Sequence, residues 1–395
     1  MDVRRGDGRP AAGLPSLLPR ATRDSDLAVW LGLFVAVALL LGVGTPPVPI
    51  VAALLASGGT LIVALRWRVG PLAILVLLAL GIWLRMLNPY GGYSDVLTVV
   101  QAAARTMLAG TPPYGIGYDA SLPPGAPFAY GPVALAWYLP MLDDPRRMEL
   151  WLSFGILGVL ALRGRPLGLA VYAVLAPLLV TATDGSNDTS AGVLLLIALL
   201  VAQRAPLPGA ILLALAAGFK PYAAAWLPPL LAYGGIAPGL IGFAAGSLVA
   251  WGPALFAWGP ERILWSFRTA DAVHQGPYYS LAWVTGGLGL SEATWQAFRL
   301  VAGAATAAVG WLSVRSARSF IVAGAAIYVV TLFAGWWSTF AYLAALAPVL
   351  CWHLDDWAGL GSHRVRWPGD PVGRITTAVD ARFPILRPAD DRTAA

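Results

Sequence analysis

One cysteine, Cys351, one lysine, Lys220, and three histidines stand in a chain of 395 residues of which only 12% are charged. Each shortage excludes something. A lone cysteine rules out an intrachain disulfide and a cysteine-rich metal site. So few charges rule out a soluble globular surface, because soluble domains carry roughly a quarter charged residues. With 58% hydrophobic residues and a mean hydropathy of +0.70, the composition is that of a polytopic membrane protein.

What charge there is has a pattern. Of the 26 basic residues all but Lys220 are arginine. Many lie in two polar tails, at Arg4, Arg5, Arg9, Arg20 and Arg23 and at Arg364, Arg366, Arg374, Arg382, Arg387 and Arg392. Such tails suit cytoplasmic flanks facing anionic lipid better than they suit nucleic acid, so no nucleic-acid partner is expected. The apolar run 27–44 is longer than a signal-peptide core and is followed by Thr-Pro-Pro-Val-Pro with no small-residue cleavage site. It reads as an uncleaved first span. The expected organisation is a cytoplasmic tail over 1–26, a membrane domain over 27–355 and a disordered cytoplasmic tail over 356–395.

Apolar runs near the length an α-helix needs to cross the hydrocarbon occur at 27–44, 48–65, 70–87, 147–162, 166–183, 189–203, 236–257, 295–313, 318–335 and 337–353. Shorter runs occur at 131–142, 207–219, 221–234 and 279–290. The predicted fold is all-α, a transmembrane bundle of about 10–13 helices. No internal repeat and no likeness between the two halves is visible. Arginine placement in short loops sets the orientation. Arg66, Arg68, Arg163, Arg165, Arg204, Arg315, Arg318 and both tails fall on one side if 131–142 stops short of crossing and if 207–219 and 221–234 are two short legs meeting at Lys220. Four polar segments then share the outer face: 88–130, 184–188, the Lys220 elbow and 258–278.

Chemistry-bearing residues collect in those segments. Residues 94–109 set Val96, Val99, Val100, Ala103 and Met107 on one face of an amphipathic helix lying in the membrane interface, with Ser94 or Asp95 as its N-cap. The stretch from Gly110 to Pro140 is dense in proline, glycine and tyrosine, including Tyr114 and Tyr130, a composition that suits sugar stacking and headgroup contact. Lys220, between apolar legs and before helix-breaking Pro221, is either functional or a snorkelling side chain. His274, with Gln275, Tyr278 and Tyr279, is the one histidine in an outer loop, and the tyrosines suit either ligand contact or an aromatic belt. Asp184, Asn187 and Asp188 form a polar turn in which Asp188 can also serve as a helix cap. Arg105, Arg262 and Arg268 are auxiliary cations, and the acids of Asp-Asp-Pro-Arg-Arg at 143–147 have their own arginines beside them.

The order of these features carries a resemblance. An Asp, an amphipathic helix, Gly-Thr-Pro-Pro-Tyr, then Tyr-Gly-Pro-Val-Ala with a short leg ending in proline, later an Asn-containing loop and Gly-Phe-Lys-Pro resemble the polyprenyl-phosphate-mannose-dependent mannosyltransferases of the GT-C superfamily, across most of residues 70–280. The resemblance implies an integral plasma-membrane enzyme with its active site on the extracytoplasmic side. Asp95 would be the general base, and Lys220, His274 and Arg105 would hold the donor phosphate. Tyr93, Tyr114, Tyr130, Asn187, Gln275 and Tyr278 would contact the sugars. The partners implied are the bilayer, a polyprenyl-phosphate sugar donor and a glycolipid or glycan acceptor, with no metal and no cofactor. A single carboxylate suffices for this chemistry: a prenyl phosphate leaves as a stable anion and needs no protonating acid, unlike the alcohol leaving group of glycoside hydrolysis. A transporter of lipid-linked glycans would also use broken helices and an intramembrane lysine, and is the competing expectation, along with a catalytically silent assembly subunit.

Overall fold

The computed structural model describes residues 71–87, 94–272 and 276–358. The expected spans 27–44 and 48–65, the N-terminal tail, residues 359–395, and Tyr93, His274 and Gln275 lie outside the described residues. Within them the chain is mostly helical, as its apolar runs predict, and among the described residues the strands are limited to a two-residue antiparallel ladder pairing Gly117–Tyr118 with Ala126–Pro127.

Several helices follow the apolar runs closely: Arg146–Leu162, Asp188–Ala202, Pro206–Phe219, Ile236–Trp258, Glu292–Ser313, Ala317–Phe333 and Phe340–Trp357. Segment 131–142 is the helix Pro132–Tyr138 of 7 residues and a 3-10 turn, Leu139–Met141, far short of a crossing. The single span expected over 166–183 is instead two helices, Pro166–Val174 and Ala176–Thr181, hinged at an extended Leu175. The reason is Pro177, which has no amide hydrogen to carry the helical ladder through this point. The second leg after Lys220 is also not one helix: a 3-10 segment, Pro221–Trp226, precedes the helix Leu227–Gly234.

By length and apolarity together, one helix among the described residues can cross a membrane: Ile236–Trp258, of 23 residues. Its packing explains its composition. Gly239, Gly242, Gly246, Ala250 and Ala254 recur every three or four residues and are its buried face. A Cβ on Gly246 would meet Ala214 Cβ at 2.8 Å, and one on Gly242 would meet Ala210 Cβ at 2.9 Å. The small residues let this helix lie directly against Pro206–Phe219. Its other faces present Leu240, Ile241, Leu248, Val249, Leu255 and Phe256, the last 95% exposed.

The helices run between two ends of the bundle. At one end Arg165 pairs with Asp356 (2.8 Å), and Asp355 accepts the amide hydrogens of Leu167 and Gly168. Tyr233 donates to the carbonyl of Gln203 there and stacks on Phe320. At the other end lie the start of Val96–Leu108, residues 182–187, Phe219–Lys220 and the helix Pro260–Ala272. The amide of Gly131 bonds to the Phe219 carbonyl (3.2 Å), and that of Gly115 to Ser266 Oγ (2.9 Å).

Candidate functional site

The helix Val96–Leu108 is not a surface element. Leu97, Val99, Val100, Ala103 and Ala104 are buried, in a cluster with Tyr114, Phe128, Leu135, Tyr138 and Phe219. Of the face predicted from the sequence, Val99, Val100 and Ala103 are fully covered and Val96 and Met107 partly. The start of this helix is sewn to the 184–187 loop by two backbone bonds. Ser94 N–H donates to Asp184 O and Leu97 N–H to Gly185 O, both at 2.9 Å. Gly185 has φ +92°, and a Cβ there would sit 2.6 Å from Ser94 O, so the seam closes only around a glycine.

Asp95 occupies the N-cap position of that helix, but its carboxylate does not cap it. Oδ2 accepts the Leu122 amide hydrogen at 2.6 Å, and Ser94 Oγ lies 3.3 Å from the Val96 amide. The capping role expected of Asp95 is thereby corrected. With ψ −5° its side chain is turned from the first helical amides toward the proline-rich loop. That bond ties Asp95 to the far side of the 111–130 loop and leaves Oδ1 as its second acceptor.

Lys220 is the C-cap of Pro206–Phe219, in extended conformation (φ −135°, ψ 119°), because the helix cannot continue into Pro221. Its side chain is 3% exposed and does not snorkel. Nζ donates to Asp188 Oδ1 at 2.6 Å and lies 5.5–5.6 Å from the ring centres of Tyr130, Tyr222 and Tyr342. Asp188, expected to cap its helix, is instead the first helical residue, and Asn187 holds the N-cap position without a side-chain bond. Asp188 is the counter-ion of Lys220. That pairing spans 32 residues and no local pattern announces it.

Tyr130 sits where these groups meet. Burial pushes its hydroxyl well above the ordinary range, and the neighbouring Tyr342, Asp188 and Asp95 push it further. Burial likewise pushes the Asp184 carboxyl up to about 6, while the Ser186 amide and hydroxyl hold it lower than burial alone would. The Asn187 side chain is 0% exposed, and neither its Oδ1 nor its Nδ2 has a partner among the described residues. A buried amide left open in this way calls for a specific explanation, such as a ligand.

Other expected site residues fall elsewhere. Tyr114 is fully buried, donates to the Tyr130 carbonyl (2.7 Å) and packs on Phe128 and Trp258, so it supports the loop and presents no face for stacking. Arg105 is exposed in the last turn of its helix, about 15 Å along the axis from Asp95. Arg262 lies along Gly115, and Arg268 is exposed. Tyr278 is 46% exposed in an aromatic group with Tyr279, Trp283 and Trp337. Asp144 is paired with Arg146 and Arg147, as its sequence neighbours predict.

Glu149 was not singled out by the sequence. It is 1% exposed and accepts from Tyr138 Oη, from Ser190 Oγ and, at 2.9 Å, from the Ser190 amide. Trp137 Nε1 donates to the same Ser190 hydroxyl (2.9 Å). This network joins the short leg Pro132–Tyr138 to the start of the Asp188 helix. The only signal in the sequence is an acid on the inward side of a span's first turn.

Among the described residues no group of three or more His, Cys, Asp or Glu is arranged to hold a metal ion. No family model, no curated protein and no solved structure matches the chain.

Proposed function

We propose that this chain is a multi-pass plasma-membrane glycosyltransferase that moves a mannosyl unit from a polyprenyl-phosphate donor to a lipid or glycan acceptor on the extracytoplasmic side. The observation that carries the reading is the backbone seam joining the Asp95 segment to the Asp184–Asn187 loop, beside the buried Lys220. It gathers a carboxylate, a buried open amide and a cation from three distant stretches of sequence.

In the proposed reaction Asp95 takes the proton of the acceptor hydroxyl as that oxygen attacks the anomeric carbon. The bond from that carbon to the phosphate oxygen breaks, and the electron pair leaves with the prenyl phosphate. Attack opposite the phosphate inverts the linkage. Lys220 retains two N–H donors beyond its bond to Asp188 for a phosphate oxygen, and Asn187 offers a sugar both a donor and an acceptor. The multi-pass reading is supported by the large apolar side chains on the bundle exterior, among them Leu248, Val249, Phe256, Leu300, Val301 and Leu312. Arginines at 163, 165, 204, 315 and 318 border the end opposite the site, in keeping with a cytoplasmic side there.

The competing reading, a transporter of lipid-linked glycans, is favoured by the buried Lys220–Asp188 pair, since paired charges inside a bundle also mark translocation paths. One experiment separates them. The purified protein is reconstituted with labelled polyprenyl-phosphate-mannose and a membrane lipid extract, beside an Asp95→Asn variant of equal thermal stability. Transfer by the wild type and its loss in the variant are the expected results. Equal transfer by both removes Asp95 from the role, and lipid movement across the bilayer without transfer favours the transporter.

A further inference from the structure

Outside the polar cluster, the segments 278–283 and 335–342 build an aromatic shelf. Their backbones are joined: Ser338 N–H donates to Tyr278 O (2.8 Å), and Ser280 Oγ donates to Trp336 O (2.6 Å). On this frame Tyr279 stacks on Trp283 (5.3 Å, 20°) and Tyr278 on Trp337 (6.4 Å, 26°). Trp337 leads to Tyr342 (6.3 Å) and Tyr342 to Tyr222 (4.9 Å), and both of those tyrosines border Lys220 Nζ. A continuous line of rings thus runs from two half-exposed side chains, Tyr278 and Trp283, to the buried ion pair.

Two further features belong to these segments. Ser338 is 0% exposed with its Oγ unpartnered among the described residues, and Trp336 Nε1 is buried and unpartnered as well. Tyr279 holds φ +44°, a strained conformation for a residue with a Cβ, kept by its surroundings. Flat rings accept the C–H faces of sugars, and nearby N–H and O–H groups engage their hydroxyls.

We propose that this shelf is a subsite for the glycan part of the acceptor, a deeper claim that rests on the glycosyl-transfer reading. The length of the line decides between donor and acceptor. A donor sugar is bonded directly to its phosphate, so with the phosphate at Lys220 it reaches only the adjacent rings, Tyr130, Tyr222 and Tyr342. Each step between rings is on the scale of one pyranose, and from Tyr342 the line reaches Tyr278 in two steps and Trp283 in three. Those outer rings fit an acceptor that already carries more than one sugar.

The test uses the full chain in detergent and saturation-transfer-difference NMR with mannotriose, free mannose and geranyl phosphate as probes. Mannotriose is expected to bind measurably tighter than mannose. Trp283→Ala and Tyr278→Ala are each expected to weaken its binding about tenfold, and Trp283→Phe, which keeps a ring, less. Transfer from labelled polyprenyl-phosphate-mannose is measured on the same samples, so absence of transfer with mannotriose binding retained bears on the glycosyl-transfer reading and not on the shelf. Equal mannotriose binding by wild type and both alanine variants overturns the proposal. So does a pattern in which those variants weaken geranyl phosphate and not mannotriose, which makes the shelf a prenyl-chain site.

Discussion

Lys220 Nζ lies 2.6 Å from Asp188 Oδ1, and both side chains are only 3% exposed. A charge so enclosed depends on its partner, and removing one member of a buried pair costs about 3–5 kcal/mol. Asp188→Asn and Lys220→Met are each expected to lose stability on that scale in thermal unfolding of the detergent-solubilised protein. The double variant is expected to recover most of the loss, because it leaves no orphaned charge. Additive losses would show that the two groups are not coupled.

Asp184 supplies a pH dependence. Its carboxyl is raised to about 6 in the folded protein, against about 3.9 in an unfolded chain. Between those values the folded state holds more protons, so stability falls as pH rises through that window and levels off above about 6. The expected drop is about 3 kcal/mol. Asp184→Asn keeps an acceptor for the Ser186 amide and is expected to flatten this part of the profile, as read from unfolding midpoints at pH 4, 5, 6 and 7.

Two glycines with the same backbone preference separate strain from the site. Gly110 (φ +79°) has open space where a Cβ would go, whereas Gly185 (φ +92°) has Ser94 O there at 2.6 Å. Gly110→Ala is expected to lose about 1–2 kcal/mol and keep its transfer activity. On the proposed glycosyl-transfer reading, Gly185→Ala is expected to part the seam and lose at least about tenfold in transfer, since a small displacement of the proposed base is enough to do so. Equal activity in both variants would remove the seam from the argument.

Glu149 is the acceptor of three buried donors. Glu149→Ala strands the Tyr138 hydroxyl and the Ser190 hydroxyl and amide, each group costing about 1–3 kcal/mol if left without a partner. Glu149→Gln retains an amide oxygen and is expected to lose much less. The comparison is made by thermal unfolding, where alanine and glutamine of equal effect would count against the network.

Much of this was readable from the chain. Helix positions followed the apolar runs because such runs must be covered whatever their partners, and the break at Lys220 followed from Pro221. The convergence of the Asp95, Asp184 and Lys220 segments at one end came from arginine placement, given a 131–142 segment too short to cross and two short legs meeting at Lys220. What could not be read was direction within irregular segments. Tyr114 turns inward to hold the Tyr130 carbonyl, and Asp95 turns from its own helix to the Leu122 amide. Neither choice has a periodicity to betray it. The Asp188–Lys220 pair, the Glu149 network and the hinge at Leu175 were missed for related reasons: two depend on contacts between distant segments, and the third on one proline inside an apolar run.

The seam between residues 94–97 and 184–187 carries one more implication. Loops that bear reactive groups often swing, but this one is fastened to the bundle by main-chain bonds at the two residues flanking Asp95 and its neighbour. Asp95 is therefore held in register with the 184–187 loop, so that the carboxylate and the Asn187 amide move as one unit if either segment moves.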